Sequence, residues 1–419
     1  MDGGGDPRGH VRAFGSRWVW AGCGAALLIV WSGPTLATSF VDQLGGTART
    51  RPIADALSRA IVRSVPLTSA SAGIAYSWDD TNQTMAIDHS LFGQPFLERP
   101  DTIGRANWSV STIYQHVQLD TLDGRRLDEL RDVMPPICDG ARCRTRPYAI
   151  SAYHPQSTTN QVTHALVYGL LEELELNLAV PVLASNLRNR IVLRDLRGRA
   201  GFSTDTDDDA AGIGDIALRA KYLLLDRGPA VLALGVGLSL PTGNEDDLQG
   251  TGAVQVSPGL FASSDRLGEH LGFRFQPYVN LGADLDGSDI ARSEVHWGTG
   301  LDVRKGARVT FAVGFLGRHV FEAFGPSGAL DVVRCTSGHA RCLQADPPSQ
   351  GVAPLLAIED GRRDLYDMSV GFRVAFPVLG RRVIGTVNVL VPLNDEGIRA
   401  DVTPLVGVEV PFVRPRPSL

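Results

Sequence analysis

The sequence has no apolar run long enough for a membrane-crossing helix. Such a helix needs about 20 mostly apolar residues, and the longest apolar stretch, Trp18–Trp31, is shorter than that. Arg8, Arg12 and Arg17 precede this stretch, and small residues follow it. A basic start, a short apolar stretch and a small-residue exit are typical of a secretory signal peptide. We therefore expect residues 1–37 to be removed on export; an uncleaved helix is the alternative.

The chain also lacks an excess of basic residues. Its formal net charge is −6 at pH 7, from 40 Lys and Arg against 46 Asp and Glu. The predicted signal peptide carries three arginines and two aspartates, so its removal leaves the mature chain more acidic. A protein that binds nucleic acid regardless of base sequence has a basic excess. The composition argues against that class, and we expect no nucleic-acid partner.

Cysteine is scarce, with five in the chain, and Cys23 lies in the predicted signal peptide. The other four form two close pairs, Cys138 with Cys143 and Cys335 with Cys342. Because disulfides persist in oxidising compartments, we expect one disulfide within each pair. A zinc site is the alternative, but neither pair has zinc-ligand spacing followed by a properly spaced second pair. We expect no bound metal and no cofactor.

Catalytic motifs are missing as well. No nucleophile elbow, phosphate-binding loop, paired-histidine zinc helix or dinucleotide motif occurs in its required context. The glycine-rich 212–215 segment opens a predicted strand, where strand-entry geometry explains it. We therefore expect no catalytic residues and no enzyme activity. Lipid hydrolysis by a Ser–His pair is the alternative, because four histidines lie on or beside predicted strands: His116, His164, His296 and His319.

From about residue 106 onward, apolar and polar residues alternate with a period of two. In Leu271–Gly282 the odd positions are apolar and the even positions include Arg274, Gln276 and Asn280. Such alternation places one row of side chains on each face of a strand. Twelve segments of this kind occur, at 107–119, 161–169, 173–184, 213–225, 229–241, 253–263, 271–282, 293–304, 307–320, 364–376, 381–393 and 401–412.

The links between these segments alternate in length. Short links at 170–172, 226–228, 264–270, 305–306 and 377–380 separate long links at 120–160, 185–212, 242–252, 283–292, 321–363 and 394–400. Outer-membrane barrels have short periplasmic turns and long outer loops. Acidic residues at 205–209 and 245–247 fall in two predicted outer loops; a solvated loop is the simplest interpretation, and a calcium site is the alternative.

The predicted fold is therefore all-β, a transmembrane antiparallel up-and-down β-barrel of about 12 strands with a short N-terminal segment. A closed sheet is required because the bilayer core has no water to satisfy an open edge. Residues 107–412 form the predicted barrel and 413–419 a C-terminal tail. Residues 38–106 form a periplasmic or lumen-inserted segment, in which Ile53, Leu57 and Ile61 have helical spacing.

Charged side chains on the wet face of these strands are the candidate functional residues. The predicted lumen-lining residues are Glu175, Asp215, Arg219, Lys221, Arg274, Glu294, Asp302, Arg304, Arg308, Arg373, Arg382 and Glu409. The cations outnumber the carboxylates, and fixed charges of one sign concentrate the opposite ion in a narrow pore. The set predicts a modest preference for anions. The alternative is that these cations pair with the lumen carboxylates and brace a plug.

Several short motifs resemble a known family. They are Phe92-Gly93, Glu98-Arg99-Pro100, Thr102-Ile103-Gly104-Arg105, Tyr114-Gln115, Leu122-Asp123-Gly124, Tyr168-Gly169 with the following Leu170–Leu176, Gly212–Asp215, Lys221-Tyr222 and Leu240–Gly243. Together they resemble the outer-membrane proteins assigned to the meta-pathway of phenol degradation. The resemblance spans roughly residues 70–412. It implies a channel-like barrel for hydrophobic or aromatic compounds, and no catalytic residues. The chain departs from the barrel pattern at its end, because seven residues follow Phe412.

These features predict an exported protein of the bacterial outer membrane that passes small molecules passively. Its expected partners are outer-membrane lipid and lipopolysaccharide, the barrel assembly machinery and a small-molecule solute. A lipid-directed barrel enzyme and a structural or adhesive barrel are the alternatives.

Overall fold

The chain forms a closed antiparallel β-barrel. The computed structural model describes residues 59, 61, 75–79, 84–88, 96–127, 130–134, 138–139, 142–143, 149–195, 200–227, 230–264, 269–270, 272–305, 308–326, 358–379 and 381–412. Each barrel strand pairs with the strand before it, and the last pairs with the first, from Phe412 opposite Trp108 to Leu405 opposite Gln115. The predicted fold class is confirmed.

Twelve strands make the wall. They are β1 Trp108–Leu119, β2 Ala149–Gly169, β3 Leu174–Asp195, β4 in two segments (Ala200–Ile213 and Ile216–Arg227), β5 Ala230–Leu240, β6 Gln255–Ser264, β7 Phe273–Asp286, β8 Glu294–Lys305, β9 Val309–Pro326, β10 Ile358–Val378, β11 Arg381–Pro392 and β12 Thr403–Phe412. Both segments of β4 pair with β3, so they count as one strand.

Shorter elements accompany the barrel. Thr121–Leu122 pairs with Arg125–Arg126 and with Ile398–Arg399, and Leu130–Met134 and Glu269–His270 extend the sheet beside β2 and β7. Two-stranded ladders join Ala75–Asp79 to Thr84–Asp88 and Cys138–Asp139 to Arg142–Cys143. Single-turn 3₁₀ helices occupy Glu245–Asp247 and Ile290–Arg292.

The two faces of the barrel have inverted polarity. Outward side chains such as Val279, Leu281 and Val406 are more than half exposed, whereas inward Gln115 and Asn280 are almost completely buried. A water-soluble protein buries its apolar residues instead. In the described part of the chain, no helix is long and apolar enough to cross a membrane. The apolar exterior is that of a barrel whose solvent is lipid.

Several strands are longer than the alternation predicts. β2 and β3 pair continuously from Gly169–Glu175 to Ala149–Asp195, so parts of the predicted links 120–160 and 185–212 are strand. Both ends of the predicted link 321–363 are likewise strand, because they belong to β9 and β10. Beyond the apolar band both faces of a strand contact water, so its sequence need not alternate. That is why the pattern concealed these extensions.

The acidic residues at 205–209 lie on β4 rather than in a loop, which corrects that prediction. Asp207 and Asp205 face Arg188 and Arg190 on β3, with nitrogen–oxygen distances of 3.1 and 3.2 Å. Opposite charges across neighbouring strands stabilise the pairing. These aspartates therefore have cationic partners, and the calcium alternative loses its support there.

The barrel is closed by an aromatic contact at the end where the short turns lie. The rings of Trp108 and Phe412 stack with centroids 3.8 Å apart, and Arg381 lies over Phe412 at 4.8 Å. Phe412 is the final strand residue, so the last barrel strand ends on an aromatic side chain.

Some predictions concern residues outside the described ranges. They include the signal peptide at 1–37, the tail at 413–419, the Cys335–Cys342 pair, and Ile53 and Leu57 of the predicted helix, whose Arg59 and Ile61 are helical. Cys138 and Cys143 are cross-strand partners, and their disulfide stays a prediction.

Arginine substitutions test the inverted polarity. Val279 and Ile290 are both exposed, but Val279 lies in the middle of β7 and Ile290 in a 3₁₀ turn beyond it. Arginine at the bilayer midplane costs roughly 2–4 kcal/mol in a barrel. We expect Val279→Arg to lower the free energy of unfolding from liposomes by that amount and Ile290→Arg to leave it nearly unchanged. Equal effects of the two changes would mean that β7 does not face lipid.

Candidate functional site

The barrel interior contains a plug formed by residues before the first strand. We call Phe96–Asn107 the plug segment. It has no regular secondary structure except a turn, yet Phe96, Leu97, Arg99 and Ile103 are each at most 4% exposed. Its backbone and side-chain groups contact inward residues of β3, β4, β7 and β8.

The start of the plug segment forms a small apolar core inside the lumen. Phe96 and Leu97 pack with four wall residues in one buried cluster: Phe96, Leu97, Ile113, Tyr278, Leu316 and Leu405. A Cβ on Gly298 would lie 2.2 Å from Leu97 Cδ2. The missing side chain at that glycine therefore makes the space into which Leu97 fits.

Asn280 on β7 clamps the backbone of the plug. Its side-chain oxygen accepts a hydrogen bond from the Glu98 backbone nitrogen at 2.7 Å, and its side-chain nitrogen donates to the Glu98 carbonyl at 2.6 Å. One amide side chain thus satisfies both backbone groups of one residue, as a neighbouring strand would. Buried backbone groups need such partners.

Lys221 on β4 joins the plug to the wall. Its ammonium lies 2.9 Å from a Glu175 oxygen and 3.4 Å from a Glu98 oxygen, and it donates to the Arg99 carbonyl at 3.0 Å. Arg219 contacts the other Glu98 oxygen at 2.9 Å. Because Glu98, Glu175 and Lys221 are nearly fully buried, each charge depends on its partners for solvation.

Arg99 extends these contacts across the lumen. Its guanidinium lies 3.0 Å from Asp101 and 3.6 Å from Asp302 on β8. The Tyr278 hydroxyl also donates to Asp302, at 3.1 Å. Arg99 is 1% exposed. It therefore links the plug segment to the wall and is not a surface charge.

The end of the plug segment is fixed at the turn between β2 and β3. The Ile103 nitrogen donates to Glu175 at 2.9 Å, and the Thr102 hydroxyl donates to the Glu172 carbonyl at 2.6 Å. A Cβ on Gly169 would lie 1.8 Å from the carbonyl oxygen of Gly104. The close approach of these two backbones explains the glycine of the Tyr168-Gly169 motif.

Asp215 has a structural role at the opposite end. It lies between the two segments of β4 and accepts hydrogen bonds from the Gly243 nitrogen at 3.0 Å and from the Thr251 nitrogen and hydroxyl at 2.8 and 2.9 Å. Thr242 bonds to the Gly214 carbonyl at 2.7 Å. The 212–215 and 240–243 motifs therefore hold the β5–β6 loop onto β4.

The other predicted lumen residues differ in exposure. Glu175, Asp215, Lys221, Glu294, Asp302, Arg373 and Glu409 are buried, whereas Arg219, Arg274, Arg304 and Arg382 are partly exposed. Arg308 is exposed in the turn before β9, where its carbonyl accepts a hydrogen bond from the Ala375 nitrogen at 2.8 Å, and its lumen-lining position stays a prediction. Ser109 donates to Glu409 at 2.8 Å.

Sequence reasoning about the strands alone missed Glu98 and Arg99, because the plug segment has no period-two pattern. The signal was present in the family motifs, since Glu98-Arg99 and Thr102-Ile103-Gly104 supply most of the plug contacts above. Arg219 and Lys221 are balanced by Glu98 and Glu175. These contacts support the alternative in which inward cations brace a plug, and the anion preference stays a prediction.

Next to the plug lies a cavity of about 200 Å³. Phe96, Leu97, Phe261 and Leu316 give it apolar walls. Its charged lining residues lie toward the loop end of the barrel: Arg59, Asp215, Arg219, Asp284, Arg292, Glu294, His296 and Arg318. The cavity is therefore on the side of the plug away from Trp108 and Phe412.

Three histidines considered for lipid hydrolysis lie on the outer face. His164 contacts the Thr112 hydroxyl at 3.0 Å, His116 the Asn160 amide at 3.0 Å and His319 a carboxylate, Asp364, at 2.6 Å. None of these three contacts involves a serine, so they give the Ser–His alternative no support.

A closed barrel with an apolar exterior, a polar interior and an internal plug defines a protein of the bacterial outer membrane, because an α-helix and a closed barrel are the structures that satisfy every backbone group in lipid. Residues 156–315 match the family model described as "Putative MetA-pathway of phenol degradation". The resemblance seen in the motifs is confirmed over that part of the chain. No curated protein matches the sequence.

Several solved structures match the chain at low sequence identity. An outer membrane channel from Pseudomonas putida F1 shares 15% identity over 75% of this chain and 98% of its own, with a TM-score of 0.42. A Pseudomonas aeruginosa FadL homologue shares 11% identity over 83% and 99%, with a TM-score of 0.32. The Ralstonia pickettii toluene transporter TbuX shares 9% over 75% and 92%, with a TM-score of 0.33. These identities are too low to carry a function to this chain.

Substitution of Lys221 tests the attachment of the plug. Breaking a buried ion pair by removing one partner costs about 3–5 kcal/mol, so we expect Lys221→Met to lower the free energy of unfolding from liposomes by that order. Adding Glu175→Gln should recover part of the loss, because it removes one carboxylate left without its cation. The matched control is Lys305→Met, because Lys305 is exposed and lies over Phe273 at 5.3 Å. If Lys221→Met and Lys305→Met had the same unfolding curve, the ion pairs around Lys221 would not stabilise the barrel.

Proposed function

We propose that this protein is a passive outer-membrane channel for small molecules of the size and polarity of substituted monoaromatics. The observation that carries the proposal is the cavity beside the plug. An engineered cavity of about 150 Å³ in another protein is enough to bind benzene, and this one is about 200 Å³. Its apolar walls and few polar groups are typical of small-molecule sites.

The cavity combines a ring-sized apolar surface with charged groups at one edge. Phe96, Phe261 and Leu316 supply the apolar surface, and Arg219 and Arg318 are among the charged groups. A solute with one aromatic ring and a hydroxyl or carboxyl group matches both. The description of the matched family, which refers to phenol degradation, agrees with this solute class.

The plug and the wall together favour lateral exit of a solute from the cavity, through the barrel wall. Hydrogen-bonded pairing between β6 and β7 runs to Val256–Leu285 and resumes at Gly259–Gly282, and Pro258 in the interruption has no backbone N–H to donate. Ser257, Pro258 and Gly259 line the cavity. We infer that an apolar solute leaves through this interruption, because the plug below it is fixed by buried ion pairs.

Outer-membrane lipid, lipopolysaccharide and the barrel assembly machinery are the proposed partners of the barrel, and the signal peptide and disulfides are proposed features of its export. The proposal needs no catalytic step, and the expected lack of enzyme activity stays a prediction.

A bulky side chain in the cavity tests the proposed path. Ala217 faces inward and lines the cavity, whereas Ala220 on the same strand faces outward. We expect cells that produce the wild-type protein to take up radiolabelled phenol or benzoate faster than cells without it. Ala217→Phe should reduce this gain several-fold and Ala220→Phe should preserve it.

The assay is done in cells with intact lipopolysaccharide, because that layer slows apolar solutes that cross lipid unaided. Glucose serves as a solute without an aromatic ring. If cells with the wild-type protein took up the aromatic solute no faster than cells without it, the channel would be ruled out. Equal uptake by Ala217→Phe and Ala220→Phe would rule out the cavity as the path.

A further inference from the structure

Three potential metal ligands meet on the inner face of β7 and β8. Asp284 and Glu294 are directly opposite each other in the strand register, and His296 is opposite Gly282, one inward position further along. All three line the cavity. Donor atoms of the three side chains all lie within 4.8 Å of one another.

The distances are close to those around a bound ion. His296 Nδ1 is 3.4 Å from an Asp284 oxygen. Zinc binds nitrogen and oxygen ligands at about 2.0–2.2 Å in tetrahedral geometry, so two ligand atoms are roughly 3.3 Å apart. The imidazole and the Asp284 carboxylate already have this separation, and a Glu294 oxygen lies within 4.8 Å of both.

The glycine at position 282 makes room for the imidazole. A Cβ there would lie 2.3 Å from His296 Nε2 and 3.0 Å from the carbonyl oxygen of Pro258. The ring therefore occupies the space of the missing side chain, and its position against Asp284 depends on a residue that is not itself a ligand.

The local charge also favours a cation. Like charges directly opposite each other on paired strands are destabilising, yet Asp284 and Glu294 have this arrangement. Arg318 offsets one carboxylate, with its guanidinium 3.5 Å from Glu294. The nearby Arg59 is bonded to Asp286 at 2.9 Å. A cation bound between Asp284 and Glu294 would relieve this repulsion.

We propose that Asp284, Glu294 and His296 bind a divalent transition-metal ion at the wall of the cavity. One imidazole and two carboxylates suit Zn²⁺, Fe²⁺ or Mn²⁺ better than Ca²⁺, which prefers oxygen ligands alone. The site departs from the expectation of no bound metal, because Asp284 meets Glu294 and His296 only through the pairing of β7 with β8. It does not depend on the proposed transport function.

The test is a titration of the tag-free, refolded full-length barrel with Zn²⁺ in competition with a fluorescent chelator. We expect the wild-type protein to take up one ion per barrel. His296→Ala and Asp284→Asn should abolish this saturable uptake. Gly282→Ala should weaken it by about 10- to 100-fold, the range seen when a group that orients a ligand is changed.

His319→Gln is the matched control, because His319 also contacts a carboxylate, Asp364, at 2.6 Å but lies on the outer face. It should retain the uptake. Heat-dependent gel migration of every variant shows whether the barrel has formed. Absence of saturable uptake by the folded wild-type protein, or uptake that survives His296→Ala in a folded barrel, would overturn the proposal.

Discussion

The buried ion pairs around Lys221 attach the plug segment to the barrel wall, and the blocked lumen depends on them. A lysine inside a barrel needs counter-charges, and Glu175 on β3 and Glu98 on the plug segment supply them at 2.9 and 3.4 Å. One of these carboxylates belongs to the wall and the other to the plug. The contacts that neutralise the lysine therefore also hold the plug in place. Without Glu98 the same wall would surround a wider, polar lumen.

The remaining plug contacts follow from this one. Once Glu98 is held near Lys221, Asn280 can bond to its backbone on one side and Leu97 can enter the space left by Gly298 on the other. The blocked lumen then leaves a cavity toward the loop end, where the wall between β6 and β7 is interrupted. The proposed path of a solute is a consequence of where the plug lies.

The strands could be predicted from the sequence, and the plug could not. Every predicted strand overlaps one barrel strand because lipid on one face and water on the other impose a period of two. Beyond the bilayer this constraint ends, so the sequence predicts a loop where charged pairs such as Arg188–Asp207 join two strands. The plug segment follows no periodicity, because its burial depends on contacts with strands far along the chain. Burial of Glu98 and Arg99 can be recognised only when Lys221 and Asp302 are known to be close.

The position of Leu97 beside Gly298 is the most direct test of this account. With all five native cysteines replaced by serine, Leu97→Cys and Gly298→Cys are combined in the refolded barrel and oxidised. A disulfide requires Cβ atoms about 3.5–4.5 Å apart, and the Leu97 side chain occupies the site of a Gly298 Cβ. Mass spectrometry of unreduced peptides should find the two residues joined. Two thiols that stay unlinked and react with a bulky maleimide in the folded barrel would show that the plug segment lies outside the lumen.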